Sequence, residues 1–302
     1  MFEIIEMSED VKKLLENSNR GRVHSIYKNT INISLDERLI AIHPNNIIKS
    51  PMSLRMKSGE VDLESLDLKI GDSVEIYRDL LKLGKYIFGF RNAEEWNPSL
   101  WHIDIDFKEK NVKQYQFIKK MLEASIDEGN LKKIVLSLIE NQPIEIREDD
   151  FFSVKVYSAL EGFKLAVEKR DIDKSLNSLF SILGLGIGLT PSGDDFIMGL
   201  MSVLLVSKRS SSFIEELLSA IKERLKESLD KTTFLSSELY FYAVEDKYSS
   251  IFLDIFDGIK KENKDNLFKS IQVLLAMGHS SGTDTLCGIV FAMNLIDKAI
   301  KK

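Results

Sequence analysis

Near residue 110 the hydrophobic repeat of this chain changes from two residues to that of a helix, and this change limits the folds open to it. Upstream, residues 22–27 and 30–34 alternate polar and apolar around Lys28-Asn29, the pattern of a β-hairpin. Short strands are expected at residues 39–43, 53–56, 73–77 and 85–90, separated by Pro44-Asn45-Asn46, Lys57-Ser58-Gly59 and Ile70-Gly71-Asp72. A short helix is expected over 9–18, and a loop carrying Trp96 and Trp101 over 92–103. Downstream, Phe152, Val156, Leu160, Phe163 and Val167 fall on one helical face. Similar stripes run through 112–126, 172–183, 195–207, 212–229, 234–244, 248–261, 266–277 and 284–299. The expected class is therefore α+β: a β-rich domain over residues 1–108, barrel or sandwich-like, then a mostly α-helical domain over 109–302.

Composition closes off several functions. A net charge of −6 built from interspersed charges leaves no basic stripe, so nucleic-acid binding is not expected. Cys287 is the only cysteine, which forbids an intramolecular disulfide and suits a reducing cytoplasm. The apolar runs 196–206 and 286–296 are too short for a membrane span and read as buried helices.

The helical half writes one phrase twice. Residues 192–200 read Ser-Gly-Asp-Asp-Phe-Ile-Met-Gly-Leu, and residues 281–289 read Ser-Gly-Thr-Asp-Thr-Leu-Cys-Gly-Ile. Both fit S-G-x-D-x-[IL]-x-G-[IL] and both open an apolar helix, so they are expected to form two halves of one site. The first is preceded by Gly184, Gly186 and Gly188 and by Thr190-Pro191, which permit positive φ and close approach. Ser192, Asp194 and Asp195 are natural helix caps, and a glycine-lined helix start also offers N–H groups to an anion. The adjacent carboxylates would repel a bare phosphate unless one points away or a cation intervenes. No lysine follows as in a nucleotide-binding phosphate loop, and G-x-G-x-G does not make a dinucleotide fingerprint. The second phrase is preceded by Gly278-His279-Ser280, and His279 is the only histidine of the helical half. A Ser-His-Asp hydrolase from Ser280 or Ser281, His279 and Asp284 lacks the G-x-S-x-G elbow. Between the phrases, Thr232, Thr233 and Ser236 open a further helix. The four histidines show no metal-ligand spacing.

Together, residues 188–195, Thr232-Thr233-x-x-Ser236 and Gly278-His279-Ser280-Ser281-Gly282-x-Asp284 resemble a bacterial family that includes the AllH subunit of oxamate carbamoyltransferase. Gly21-Arg22-Val23-His24-Ser25, a turn at Pro51 and the Ala93…Trp96-x-Pro98 segment are similar as well. The resemblance implies a carbamoyltransferase subunit in ureide or allantoin-type nitrogen catabolism, turning oxalurate and phosphate into oxamate and carbamoyl phosphate, or acting on a related carboxylate. It also implies further subunits, one resembling acyl-CoA synthetases. On this reading His279, Asp194 and Asp284 are the catalytic candidates. Gly188, Thr190, Ser192, Gly193, Asp195, Thr232, Thr233, Ser236, Ser280, Ser281 and Gly282 are the substrate-binding candidates, with the Gly193 and Gly282 amides on substrate oxygens. His24 and Trp96 are expected in the core of the β unit.

Two other readings stay open. One is a Mg²⁺-assisted hydrolase, since paired G-D-D-like helix starts also occur in ADP-ribosylglycohydrolase-like proteins; Asp194, Asp195 and Asp284 are few ligands for two ions. The other is a non-catalytic subunit that binds a metabolite. No other cofactor is indicated.

Overall fold

In a computed structural model of the chain, residues 1–57, 62–106, 112–126 and 129–300 are described. They divide into two compact units, Met1–Ser99 with Lys247–Ser250, and Leu100–Asp246 with the residues from Ile251 onward.

The first unit is a barrel. Its strands are β1 (Phe2–Ser8), β2 (Arg20–Tyr27), β3 (Thr30–Leu35), β4 (Arg38–Pro44), β5 (Ser53–Met56), β6 (Ser73–Tyr77), β7 (Leu80–Leu83), β8 (Tyr86–Gly89) and β9 (Glu94–Trp96). Eight of them close in the order β5-β4-β3-β2-β6-β7-β8-β1, with β1 returning to pair antiparallel with β5, and β9 lies parallel to β1. Closure removes the open edges that a sandwich would leave. Register shifts between Ile4 and Glu6 and between Val23 and Ser25 bend β1 and β2 into the ring. The alternating residues Ile31, Ile33 and Leu35 meet Val23, Ile42, Leu54, Val74, Leu81 and Phe88 in the interior. Helix α1 (Glu9–Asn17), capped by the Ser8 hydroxyl accepting from the Val11 amide at 3.1 Å, adds Val11 and Leu15 to the same core.

Three strands were not expected. The bulge interrupts the two-residue period of β1. The expected 85–90 strand is β8, and the Gly84 turn, at φ 54°, joins it to the unexpected β7 as a hairpin. β9 occupies part of the expected tryptophan loop. His24 is exposed rather than in the core, its Nδ1 3.1 Å from Ser25 Oγ, and Trp96 is half-buried. Gly21 is required by packing, because a methyl group there would stand 2.3 Å from the Ser34 carbonyl oxygen across the hairpin. Gly21→Ala is expected to destabilise the barrel by about 1–3 kcal/mol, read as an earlier thermal transition in circular dichroism.

The second unit is helical: α2 (Val112–Ala124), α3 (Lys132–Glu140), α4 (Phe151–Glu168), α5 (Ile172–Phe180), α6 (Ser192–Val206), α7 (Ser212–Lys226), α8 (Phe234–Val244), α9 (Ser250–Lys260), α10 (Lys264–Leu275) and α11 (Ser281–Ile300). The short α3 was not expected. Helix α6 is buried on almost every side, as is α11 over its described residues, which explains their apolar sequences. Phe291 of α11 packs edge-on to Phe196 of α6 at 5.5 Å. Among the described residues, no helix is long and apolar enough to cross a membrane.

Candidate functional site

The twin phrases lie at the N-terminal ends of α6 and α11, and these two helices pack together reciprocally. A methyl group at Gly199 would stand 2.1 Å from the Thr285 carbonyl oxygen, and one at Gly288 would stand 2.1 Å from that of Phe196. In each helix the second motif glycine therefore meets the backbone of the other helix at the same motif position. The first glycines are also equivalent. Gly193 lies on the Ile182 carbonyl and Gly282 on the Leu274 carbonyl, where a methyl group would fall within 1.9 and 1.8 Å. The sequence repeat is thus a repeat of close backbone approaches.

The polar residues follow the same exchange. Asp195, the fourth residue of the first phrase, has its carboxyl beside the hydroxyls of Ser281 and Thr190; Asp284, the fourth residue of the second, has its carboxyl beside Ser192 and Ser280. The Thr190 and Ser281 hydroxyl oxygens are 2.9 Å apart. The Asn130 and Leu131 amides donate to Asp284 Oδ1 at 3.0 and 3.1 Å, and Asn130 Nδ2 donates to Ser192 Oγ at 2.7 Å and Ser280 Oγ at 3.4 Å. The second carboxylate oxygen of both Asp195 and Asp284 is buried with no hydrogen-bond partner. Burial is the main force raising both acids. It lifts Asp195 to about 8, helped by the neighbouring Asp284 charge, and Asp284 to about 6; the facing hydroxyls pull each the other way. At neutral pH Asp195 therefore holds its proton while Asp284 is largely ionised. The pair combines a carboxylic acid and a carboxylate a short distance apart. Asn130, Thr190, Ser280 and Ser281 are the more exposed members of the group.

Other expected residues are placed differently. Asp194 faces away from this pair: its carboxylate accepts from the Gly184 amide at 2.8 Å and from the Thr232 hydroxyl. It is buried, and burial raises its carboxyl above the ordinary range. Thr233 caps α8, accepting from the Ser236 amide at 3.2 Å, while its hydroxyl donates to the Leu189 carbonyl at 2.5 Å. Ser236 is buried on α8, whose Tyr240 hydroxyl donates to the Asp194 carbonyl at 3.1 Å. These residues fasten the glycine loop and α8 to the start of α6. Thr232→Val is expected to leave a buried carboxylate short of a donor and to cost about 1–3 kcal/mol, measurable by urea unfolding. Gly188, at φ 99°, sits at the exposed tip of the loop. The Gly193 and Gly282 amides already donate to Leu185 O at 2.9 Å and Met277 O at 3.1 Å. The two glycines therefore serve close packing, and their N–H groups are engaged within the chain. His279 is exposed on the turn before α11, and no described hydrogen bond joins it to either carboxyl. Asn130 was missed because it lies in a short polar turn with no motif of its own; only its position before the apolar start of α3 marks it. Among the described residues no group of three or more His, Cys, Asp or Glu gathers as a cation site would require.

No solved structure matches this chain. Two family models do. Residues 3–95, nearly the whole barrel, match the AllH family N-terminal domain. Residues 182–293, which contain both phrases and the segment joining them, match the oxamate carbamoyltransferase subunit AllH. With its barrel and its paired helix starts both covered, the chain belongs to the AllH family.

Proposed function

We propose that the paired helix starts bind the carbamoyl-bearing substrate of a carbamoyltransferase that interconverts oxalurate and phosphate with oxamate and carbamoyl phosphate. The observation that carries this reading is the exchanged pair of carboxyls, Asp195 and Asp284, each facing hydroxyls of the other phrase. In the forward direction a phosphate oxygen attacks the carbamoyl carbon of oxalurate. The bond from that carbon to the oxamate nitrogen breaks, and the nitrogen takes up a proton. Asp195, protonated at neutral pH, is suited to supply it and to be reprotonated from the attacking phosphate. Asp284, largely ionised and buried, holds the Asn130 turn in place beside Asp195. Thr190, Ser280 and Ser281 are suited to donate to the developing oxyanion. The catalytic roles expected of His279 and Asp194 pass in this reading to Asp195, because no described hydrogen bond joins His279 to either carboxyl and Asp194 is occupied by Gly184 and Thr232. No step is routed through Mg²⁺. Other subunits, an acyl-CoA-synthetase-like chain among them, would complete the enzyme.

A thermal-shift titration of the chain with phosphate, carbamoyl phosphate, oxamate and oxalurate, with and without Mg²⁺, tests this. A ligand at 100 times its dissociation constant adds about 2.7 kcal/mol. Stabilisation by oxamate or carbamoyl phosphate, lost in Ser281→Ala, is expected. Stabilisation by none of the four, or by Mg²⁺ alone, would sink the proposal. One observation favours a second reading, a subunit that binds the metabolite without turning it over: Asp284 is completely buried. Binding by the isolated chain without turnover would select it.

A further inference from the structure

The turn that holds Asp284 has a second face. Gly129 packs on the Asp284 carboxylate so closely that a methyl group would stand 2.9 Å from Oδ1, and the next two amides donate to that oxygen. The same Gly129 and Asn130 line a cleft of about 220 Å³ with Lys133, Ile134, Ile144, Glu145, Ile146, Arg147, Asp150 and Ser153. Two cations, Lys133 from α3 and Arg147 from the segment before α4, line it with three isoleucines, and Arg147 also pairs with Asp149, Nε to Oδ1 at 2.9 Å. Asn130 touches Ser192 and Ser280 on one side and the cleft on the other. A small ligand reaching along Asn130 would lie in the cleft at one end and beside the paired carboxyls at the other.

We propose that this cleft takes the carboxylate end of a small acid bearing a ureido or amide group, whose reacting end lodges at the paired phrases. The inference rests on the reading of those phrases as a carbamoyl site. Lys133 and Arg147 hold the carboxylate, Arg147 through the guanidinium N–H groups that its pairing with Asp149 leaves over. Glu145 and Asp150 accept N–H groups and disfavour ligands of higher negative charge, such as free phosphate. The cleft thereby distinguishes the organic acid from the inorganic one, which the hydroxyls around Ser281 alone would not do.

Calorimetry on the full chain with oxamate, oxalurate and inorganic phosphate, for wild type, Lys133→Gln/Arg147→Gln and Ser281→Ala, tests this. The double variant is expected to bind oxamate and oxalurate about tenfold or more weakly, as loss of charge-assisted hydrogen bonds implies, with phosphate affinity unchanged. Ser281→Ala is expected to weaken all three. Organic acids bound by the double variant as tightly as by wild type, with Ser281→Ala still weakened, would overturn the cleft and leave the carbamoyl site standing. An equal loss for phosphate would make the cleft a general anion surface and overturn its proposed selectivity. A wild type that binds none of the three would overturn both readings.

Discussion

A Gly288→Ala chain is expected to unfold well below the wild type, and Gly199→Ala should behave alike. Each added methyl group would stand 2.1 Å from a carbonyl oxygen of the facing helix, and a backbone oxygen cannot swing aside as a side chain can. The helices must separate, which weakens the Phe196–Phe291 contact and displaces the exchanged aspartates. Overpacking of this kind costs about 3 kcal/mol or somewhat more. For a unit of this size that is a fall of about 6–12 °C in Tm. Because both variants move the same pair of backbones, the double variant should cost less than the two singles summed. A Tm within a degree of wild type for either single variant would mean that α6 and α11 do not approach as described.

The second large effect is on the pH dependence of stability. Asp195 has a folded-state value of about 8 and Asp284 about 6, both above the ordinary unfolded value near 4. The folded chain therefore binds more protons than the unfolded one between these limits, and its stability falls as pH rises. The contribution of Asp195 is fully present below about pH 4 and is lost as pH climbs through about 8; that of Asp284 is lost by about pH 6. The slope approaches about 1.4 kcal/mol per pH unit per proton, so Asp195 alone is worth a few kcal/mol across the window. Asp195→Asn keeps the shape and a neutral side chain. It is expected to match wild type near pH 4 and to exceed it at pH 8, with the difference growing between. Urea unfolding of both proteins from pH 4 to 8 reads this directly. Parallel curves would show that Asp195 is not held protonated by its surroundings.

Much of this was legible in the sequence, because period carries architecture. The two-residue and helical periods distinguish the barrel from the helices, and nearly continuous apolar runs marked α6 and α11 as buried. Period was silent where geometry broke it, at the β1 bulge and at the Gly84 turn. The repeated phrase marked the candidate site, and Ser192, Ser281, Thr190 and Asp284 lie together there. The two adjacent aspartates could not be told apart by their letters. Aligning the phrases pairs Asp195 with Asp284 and leaves Asp194 opposite Thr283, the one textual clue that Asp195 is the exchanged acid. That the motif glycines serve carbonyl contacts, and that Asn130 joins the group from far along the chain, depend on tertiary packing and have no local signature.

Oxamate affinity measured by calorimetry from pH 7 to 9, for wild type and Asp195→Asn, tests most directly the claim that the paired phrases form one proton-bearing substrate site. Wild-type affinity should fall as pH rises through about 8, where Asp195 loses its proton, while that of Asp195→Asn stays level. Affinity that is flat in both proteins, or that falls equally in both, would contradict it.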